Sequence, residues 1–240
     1  MVPESLTDQP HDSPSPALED FERVVFDELV PEFCADEKRQ CNPSSFKKES
    51  VKVHETDARD FVRAWKGGLL SHQGRGLYRA SRNAASEQFF WTGAKQPTPR
   101  SFTLWIEPVI TVGALARLHW DYGWPKELIG TQSVDWAFDL VTFQPGAGNE
   151  HIAGEVKKSV MEIERLLLFM RQFGQNPDLE VPAAGPARNA YMKVAALRAR
   201  HAPLFWAVGP AGLSKVFRVH YGSLDTVELI PTDERELHFA

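Results

Sequence analysis

Long apolar runs are missing from this 240-residue chain. No stretch of about 18 apolar residues occurs, so no segment reads as a membrane-spanning helix. Cysteine is nearly absent: Cys34 and Cys41 are the only two. They cannot complete a four-ligand zinc site alone, no paired His spacing nearby adds to them, and they read as reduced thiols. No G-x-x-x-x-G-K-[ST] loop is present to cradle nucleoside-triphosphate phosphates, so a motor would have to be another chain. A positive balance is lacking too, since the formal net charge is −5. That value does not by itself suggest a nucleic-acid protein. The opening MVPESLTDQPHDSPSP has neither a basic start nor an apolar core, which speaks against a secretory reading and makes a cytoplasmic location the expectation.

What is present is enough apolar material for one sizeable core, at 42% hydrophobic residues. Charge is distributed unevenly. Between Arg63 and Arg100 the bases Arg63, Lys66, Arg75, Arg79, Arg82, Lys95 and Arg100 face a single acid, Glu87. Within that window LLSHQGRGLYRASRN interleaves basic, Gly and aromatic residues, a texture suited to close approach of a phosphate backbone. Arg75, Arg79 and Arg82 are therefore candidate nucleic-acid contacts, with a solvated surface loop as the alternative.

Periodicity places helices over Leu18–Phe33, Glu55–Lys66 with Thr56 as cap, Glu107–Tyr122, the run from Ser159 to a stop at Gly174, and Arg188–His201. Strands are expected at Ser101–Ile106, Val134–Phe143, Ile152–Ser159, Pro203–Gly209, Ser214–Tyr221 and Val227–Ile230, with Lys126–Ile129 as a connecting turn. That order fits an α/β layered core built on a mixed sheet.

The chemistry concentrates in Ser133–Ser159. Val134–Phe143 and Ile152–Ser159 read as a hairpin closed by QPGAGNE. Alternation along the strands puts Glu155 and Lys157 on one face, and Asp139 shares a face with Ala137 and Val141. If the register sets these faces together, two carboxylates and an ammonium meet. Mg²⁺ is commonly held by one or two carboxylates plus substrate phosphate. A neighbouring Lys can help deprotonate a metal-bound water and offset charge on a phosphorane-like transition state. The alternative is a solvated sheet face whose cross-strand ion pairs contribute only about 0.2–1 kcal/mol.

Asp139 followed, after a turn, by Glu155-Val156-Lys157 resembles the motif of the PD-(D/E)xK nuclease superfamily. Phe138 stands where that signature often has Pro. Glu107 opens IEPVITVGALARLHWDYGWPKELIG, a segment similar to the first helix of that fold, and YGWPKELI resembles the nuclease domain of type I restriction motor subunits. The resemblance spans Trp105 to His220. It implies a restriction-endonuclease-like α/β core with a mixed central sheet flanked by helices. It also implies metal-dependent hydrolysis of phosphodiester bonds, in DNA with RNA left open, in a restriction, defence or repair setting. Asp139 and Glu155 would hold Mg²⁺ or Mn²⁺, and Lys157 would assist. Glu107 would face the metal from its helix, with a first-turn acid stabilising the helix dipole as the bland alternative. Lys158 joins the three arginines as a candidate nucleic-acid contact. The expected division is a tail over residues 1–17, an N-terminal α+β elaboration over 18–100 and the nuclease-like core over 101–240. A homodimer or a partner subunit is allowed, and a non-cleaving nucleic-acid-binding module on the same fold is the rival function.

Overall fold

The computed structural model describes residues 15–240 except Ala147, so the expected tail lies almost wholly outside the described residues. Among the described residues the helices are α1 (Pro16–Arg23), α2 (Val30–Cys34), α3 (Glu55–Lys66), α4 (Ile106–Ala116), α5 (Val160–Gln175) and α6 (Gly185–Arg200). The π-helical turn Val24–Leu29 joins the first two. Five short strands form two small sheets in the N-terminal half: β1 (Ser71–His72), β2 (Leu77–Arg79) and β3 (Glu87–Gln88), then β4 (Phe90–Thr92) and β5 (Phe102–Leu104). The principal sheet contains β6 (Ile129–Thr131), β7 (Leu140–Phe143), β8 (Glu150–Val156), β9 (Leu204–Val208), β10 (Ser214–Tyr221) and β11 (Val227–Thr232). Its order is β11-β10-β9-β8-β7-β6. Strands β8 and β9 run parallel while the other neighbours are antiparallel, so the sheet is mixed.

Both faces of this sheet are covered, and the alternation of side chains sorts the core accordingly. Ile152, Val156, Leu204, Trp206 and Val208 join one apolar cluster with Val109, Val112 and Leu115 of α4 and Phe61 of α3. Ala153, Phe205, Ala207 and Phe217 join the other, with Ile163, Leu167 and Met170 of α5 and Val194 and Leu197 of α6. The first cluster continues without a break into the N-terminal segment, where Phe33, Phe46, Phe90 and Phe102 stack around one another at centroid separations of 4.9–5.6 Å. Strand β9 is buried at every position, as expected of a central strand next to a parallel neighbour. Glycine is required at position 154, because a Cβ there would sit 2.8 Å from the Leu140 Cβ. No helix among the described residues is long and apolar enough to cross a membrane.

Several expectations need correction. The strand expected over Val134–Phe143 begins only at Leu140, and Val134–Trp136 is a tight turn with Asp135 at φ 61° and Trp136 at φ 59°. Side chains have replaced the ladder there: Phe138 N–H donates to Ser133 Oγ at 2.9 Å, and Arg200 holds the Val134 carbonyl. The returning strand spans Glu150–Val156, so Lys157 follows it. Ile129 opens a strand where a turn was expected, since three residues with Gly130 in the middle carry no period-two signal. The cap of α3 is His54, whose Nδ1 accepts from Thr56 N–H at 3.2 Å. Gly174 does not stop α5. It lies inside the helix against β11, where a Cβ would meet the Val227 carbonyl oxygen at 2.2 Å.

Candidate functional site

The entrance to β7 and the exit of β8 lie at the same end of the sheet because the two strands are antiparallel, with Leu140 opposite Gly154. That end is also the carboxyl end of the parallel pair β8 and β9, where open α/β sheets commonly form a ligand crevice. Asp139, Glu155 and Lys157 all occur there. Asp139 Oδ2 accepts from Val156 N–H at 2.9 Å, which pins the carboxylate across the strand pair. Lys157 N–H donates to the Val208 carbonyl at 3.0 Å, and its Nζ lies 2.5 Å from Glu155 Oε1. The sequence motif is thus brought together in space, with Asp139 and Lys157 just outside their strands.

A residue absent from the motif completes the cluster. Lys193, buried on α6, places Nζ 2.6 Å from Glu155 Oε2 and donates to the Ala137 carbonyl at 2.9 Å. Both oxygens of the buried Glu155 carboxylate therefore face an ammonium, Oε1 that of Lys157 and Oε2 that of Lys193. The signal for Lys193 was legible in hindsight. It falls on the face of α6 that buries Ala190, Val194 and Leu197, where a charge is costly unless paired.

Electrostatics separate the two carboxylates. Burial, reinforced by the neighbouring Glu155 charge, pushes Asp139 up to about 7. Burial acts on Glu155 as well, yet the Lys193 and Lys157 ammoniums outweigh it and hold Glu155 below the usual carboxylate range. For Lys157, desolvation is overcome by Glu155 and Asp139, which keep the ammonium charged well past its ordinary range. Glu107 sits in the first turn of α4 and is raised by burial, with Lys157 opposing.

Two cavities share Lys157 in their lining. One of 490 Å³ is lined by Asp139, Glu155, Lys157 and Lys193 together with Trp136 and the Met192–Arg200 side of α6. The other, of 280 Å³, is lined by Glu107, Lys157, Glu162 and Arg165. Asn189 borders both. Arg200 braces the rim by bonding Ser133 Oγ at 3.1 Å and Glu150 Oε1 at 2.7 Å, with Asp135 Oδ2 at 3.6 Å.

The other candidate contacts lie elsewhere. Arg75 is exposed in the turn between β1 and β2, its carbonyl accepting from Arg39. Arg79 is half-buried and donates to the Asn83 carbonyl at 2.7 Å. Arg82 stacks its guanidinium 4.5 Å over the Phe143 ring. Asn83 ties this loop to the sheet through Thr131, whose N–H it accepts at 2.6 Å. Lys158 is exposed beside Glu162, 4.0 Å away. None of these four lines the two cavities.

Among the described residues no cluster of three or more His, Cys, Asp or Glu is arranged to hold a metal ion. The donor set still suits a hard cation of the Mg²⁺ type, which needs only one or two carboxylates when a substrate phosphate supplies further oxygens. Asp139 and Glu155 supply that number, with an ammonium on each Glu155 oxygen that such an ion would have to share or displace. Comparison with protein-family models, with curated proteins and with solved structures gives no match.

Proposed function

We propose that this chain is a metal-dependent nuclease of the PD-(D/E)xK kind, hydrolysing phosphodiester bonds in DNA on a restriction-endonuclease-like core. The observation that carries the reading is the meeting of Asp139, Glu155 and Lys157 at one sheet end, with Glu107 across the Lys157 ammonium. Asp139 and Glu155 would hold Mg²⁺ or Mn²⁺. When bound, such an ion lowers the pKa of a coordinated water and polarises the phosphoryl group. The chain's own residues do the rest. Lys157, charged and lining both cavities, offsets negative charge as it builds on phosphate oxygens. Lys193 keeps Glu155 ionised and oriented from the opposite side. Glu107 adds a third acidic group beside Lys157, after Glu155 and Asp139, and its role is positioning.

Purified protein incubated with duplex and single-stranded DNA and Mg²⁺ or Mn²⁺ tests this directly. Asp139→Ala and Glu155→Gln, the latter keeping a polar oxygen for the two lysines, should abolish cutting in protein shown to be folded, and Lys157→Ala should abolish cutting yet retain Mn²⁺ binding in calorimetry. Variants that cut as well as the parent overturn the assignment. One observation favours a second reading, a module that binds nucleic acid without cleaving it: two ammoniums already neutralise Glu155. Failure of the parent protein to bind Mn²⁺ while still binding DNA selects that reading.

A further inference from the structure

The rim of the larger cavity carries a feature the catalytic reading leaves unused. Trp136, three residues before Asp139, is 67% exposed, although an indole of that size normally finds a buried place. It is not loosely held. Asp135 and Trp136 both adopt left-handed backbone, which non-glycine residues seldom do, and Arg200 clamps the turn through the Val134 carbonyl, Ser133 Oγ and Asp135. Trp136 lines the same 490 Å³ cavity as Asp139 and Lys157. Across that cavity α6 contributes Met192, itself 49% exposed, and the small side chains of Ala195 and Ala199. The cavity thus combines one aromatic side chain and a few apolar ones from Met192, Ala195 and Ala199 with charged groups suited to a phosphate.

We propose that Trp136 is a stacking platform for an unpaired nucleobase of the substrate, next to the phosphate held at Lys157. The proposal rests on the nuclease reading and narrows its substrate class to single-stranded or locally opened nucleic acid. Every base offers a π-face, so stacking on Trp confers affinity with little sequence preference. A duplex keeps its bases in the stack, and engaging Trp136 requires one base to swing out, which is least costly at an unpaired or mismatched position.

The test compares binding of two polymers of equal length and charge, an oligothymidylate 20-mer and its abasic counterpart, in EDTA so that no cutting occurs. The parent should prefer the oligothymidylate by roughly 5- to 150-fold, the range that one stacked base contributes. Trp136→Phe should keep most of that preference, whereas Trp136→Leu, which retains apolar bulk without a π-face, and Trp136→Ala should lose it. Affinity for the abasic polymer should be unchanged in all three. Equal binding of both polymers by the parent, or a preference retained in Trp136→Ala, overturns the stacking platform. Cleavage by the parent with Mn²⁺ is measured in parallel. A parent that cuts but shows no base-dependent affinity sinks this proposal alone, and one that neither cuts nor binds either polymer sinks the nuclease reading with it.

Discussion

Lys193 and Lys157 approach Glu155 from opposite sides, Nζ to Oε2 at 2.6 Å and Nζ to Oε1 at 2.5 Å, so one buried carboxylate is shared by two ammoniums from different elements. Burying ions is costly, and the cluster is tolerable because Glu155 is paired with two ammoniums while Asp139 accepts from Val156 N–H and is raised toward its neutral form. Four charged groups, Asp139, Glu155, Lys157 and Lys193, therefore form one electrostatic unit at the sheet end. Changing any member alters the others.

Lys193→Met separates support from chemistry. Removing one partner from a buried pair typically costs about 3 kcal/mol or more, and the remaining Lys157 pair should hold the loss near that lower figure. Chemical denaturation should show a reduced midpoint with an unchanged slope. An unchanged midpoint would mean that Lys193 contributes nothing net to holding Glu155.

Asp139 makes stability depend on pH. Burial pushes it up to about 7 in the folded protein, above the ordinary value of 3.8 that the unfolded chain keeps. Below 3.8 the proton is bound in both states, so this group adds nothing. Between the two values the folded protein binds a proton that the unfolded chain has released, so stability declines as pH rises, levelling off above about 7. In metal-free buffer Asp139→Asn should therefore gain stability over the parent between pH 4 and pH 8, by at most on the order of 4 kcal/mol. A stability difference flat across that range would show that Asp139 titrates normally.

Gly174→Ala should destabilise the fold by about 1–3 kcal/mol, because its Cβ would press on the Val227 carbonyl oxygen at 2.2 Å and push α5 off β11. Thermal unfolding checks this. A melting temperature equal to the parent's would mean that the helix slides without cost.

The basic window is open to test by salt dependence. Arg79 is engaged with the Asn83 carbonyl, whereas Arg75 and Arg82 are exposed. If the window holds duplex backbone, Arg75→Gln with Arg82→Gln should flatten the plot of log K against log salt by about 1.8, at roughly 0.9 per phosphate contact. An unchanged slope would assign the window to solvated surface.

The longer helices and the later strands of the principal sheet were legible because they rest on local patterns, whereas the two- and three-residue strands β1–β4 and β6 are too short to carry one. Ser214–Tyr221 carries strand alternation and was bounded to the residue, and α3 was bounded the same way by its apolar stripe and Gly67-Gly68. Asp139, Glu155 and Lys157 could be grouped from sequence because hairpin neighbours are close in space whatever the rest of the fold does. Tertiary structure alone decided what surrounds them. Lys193 lies 36 residues beyond Lys157 in the chain, and only the packing of α6 on the sheet face carries its ammonium to Glu155. The same packing brings Arg200 to the Ser133–Asp135 turn and turns an expected strand into a strained corner that lifts Trp136 into solvent. Local periodicity reports which face of an element is apolar. It does not report which distant helix supplies the counter-charge, because that is set by the cost of leaving Glu155 buried and unpaired once the two layers have closed.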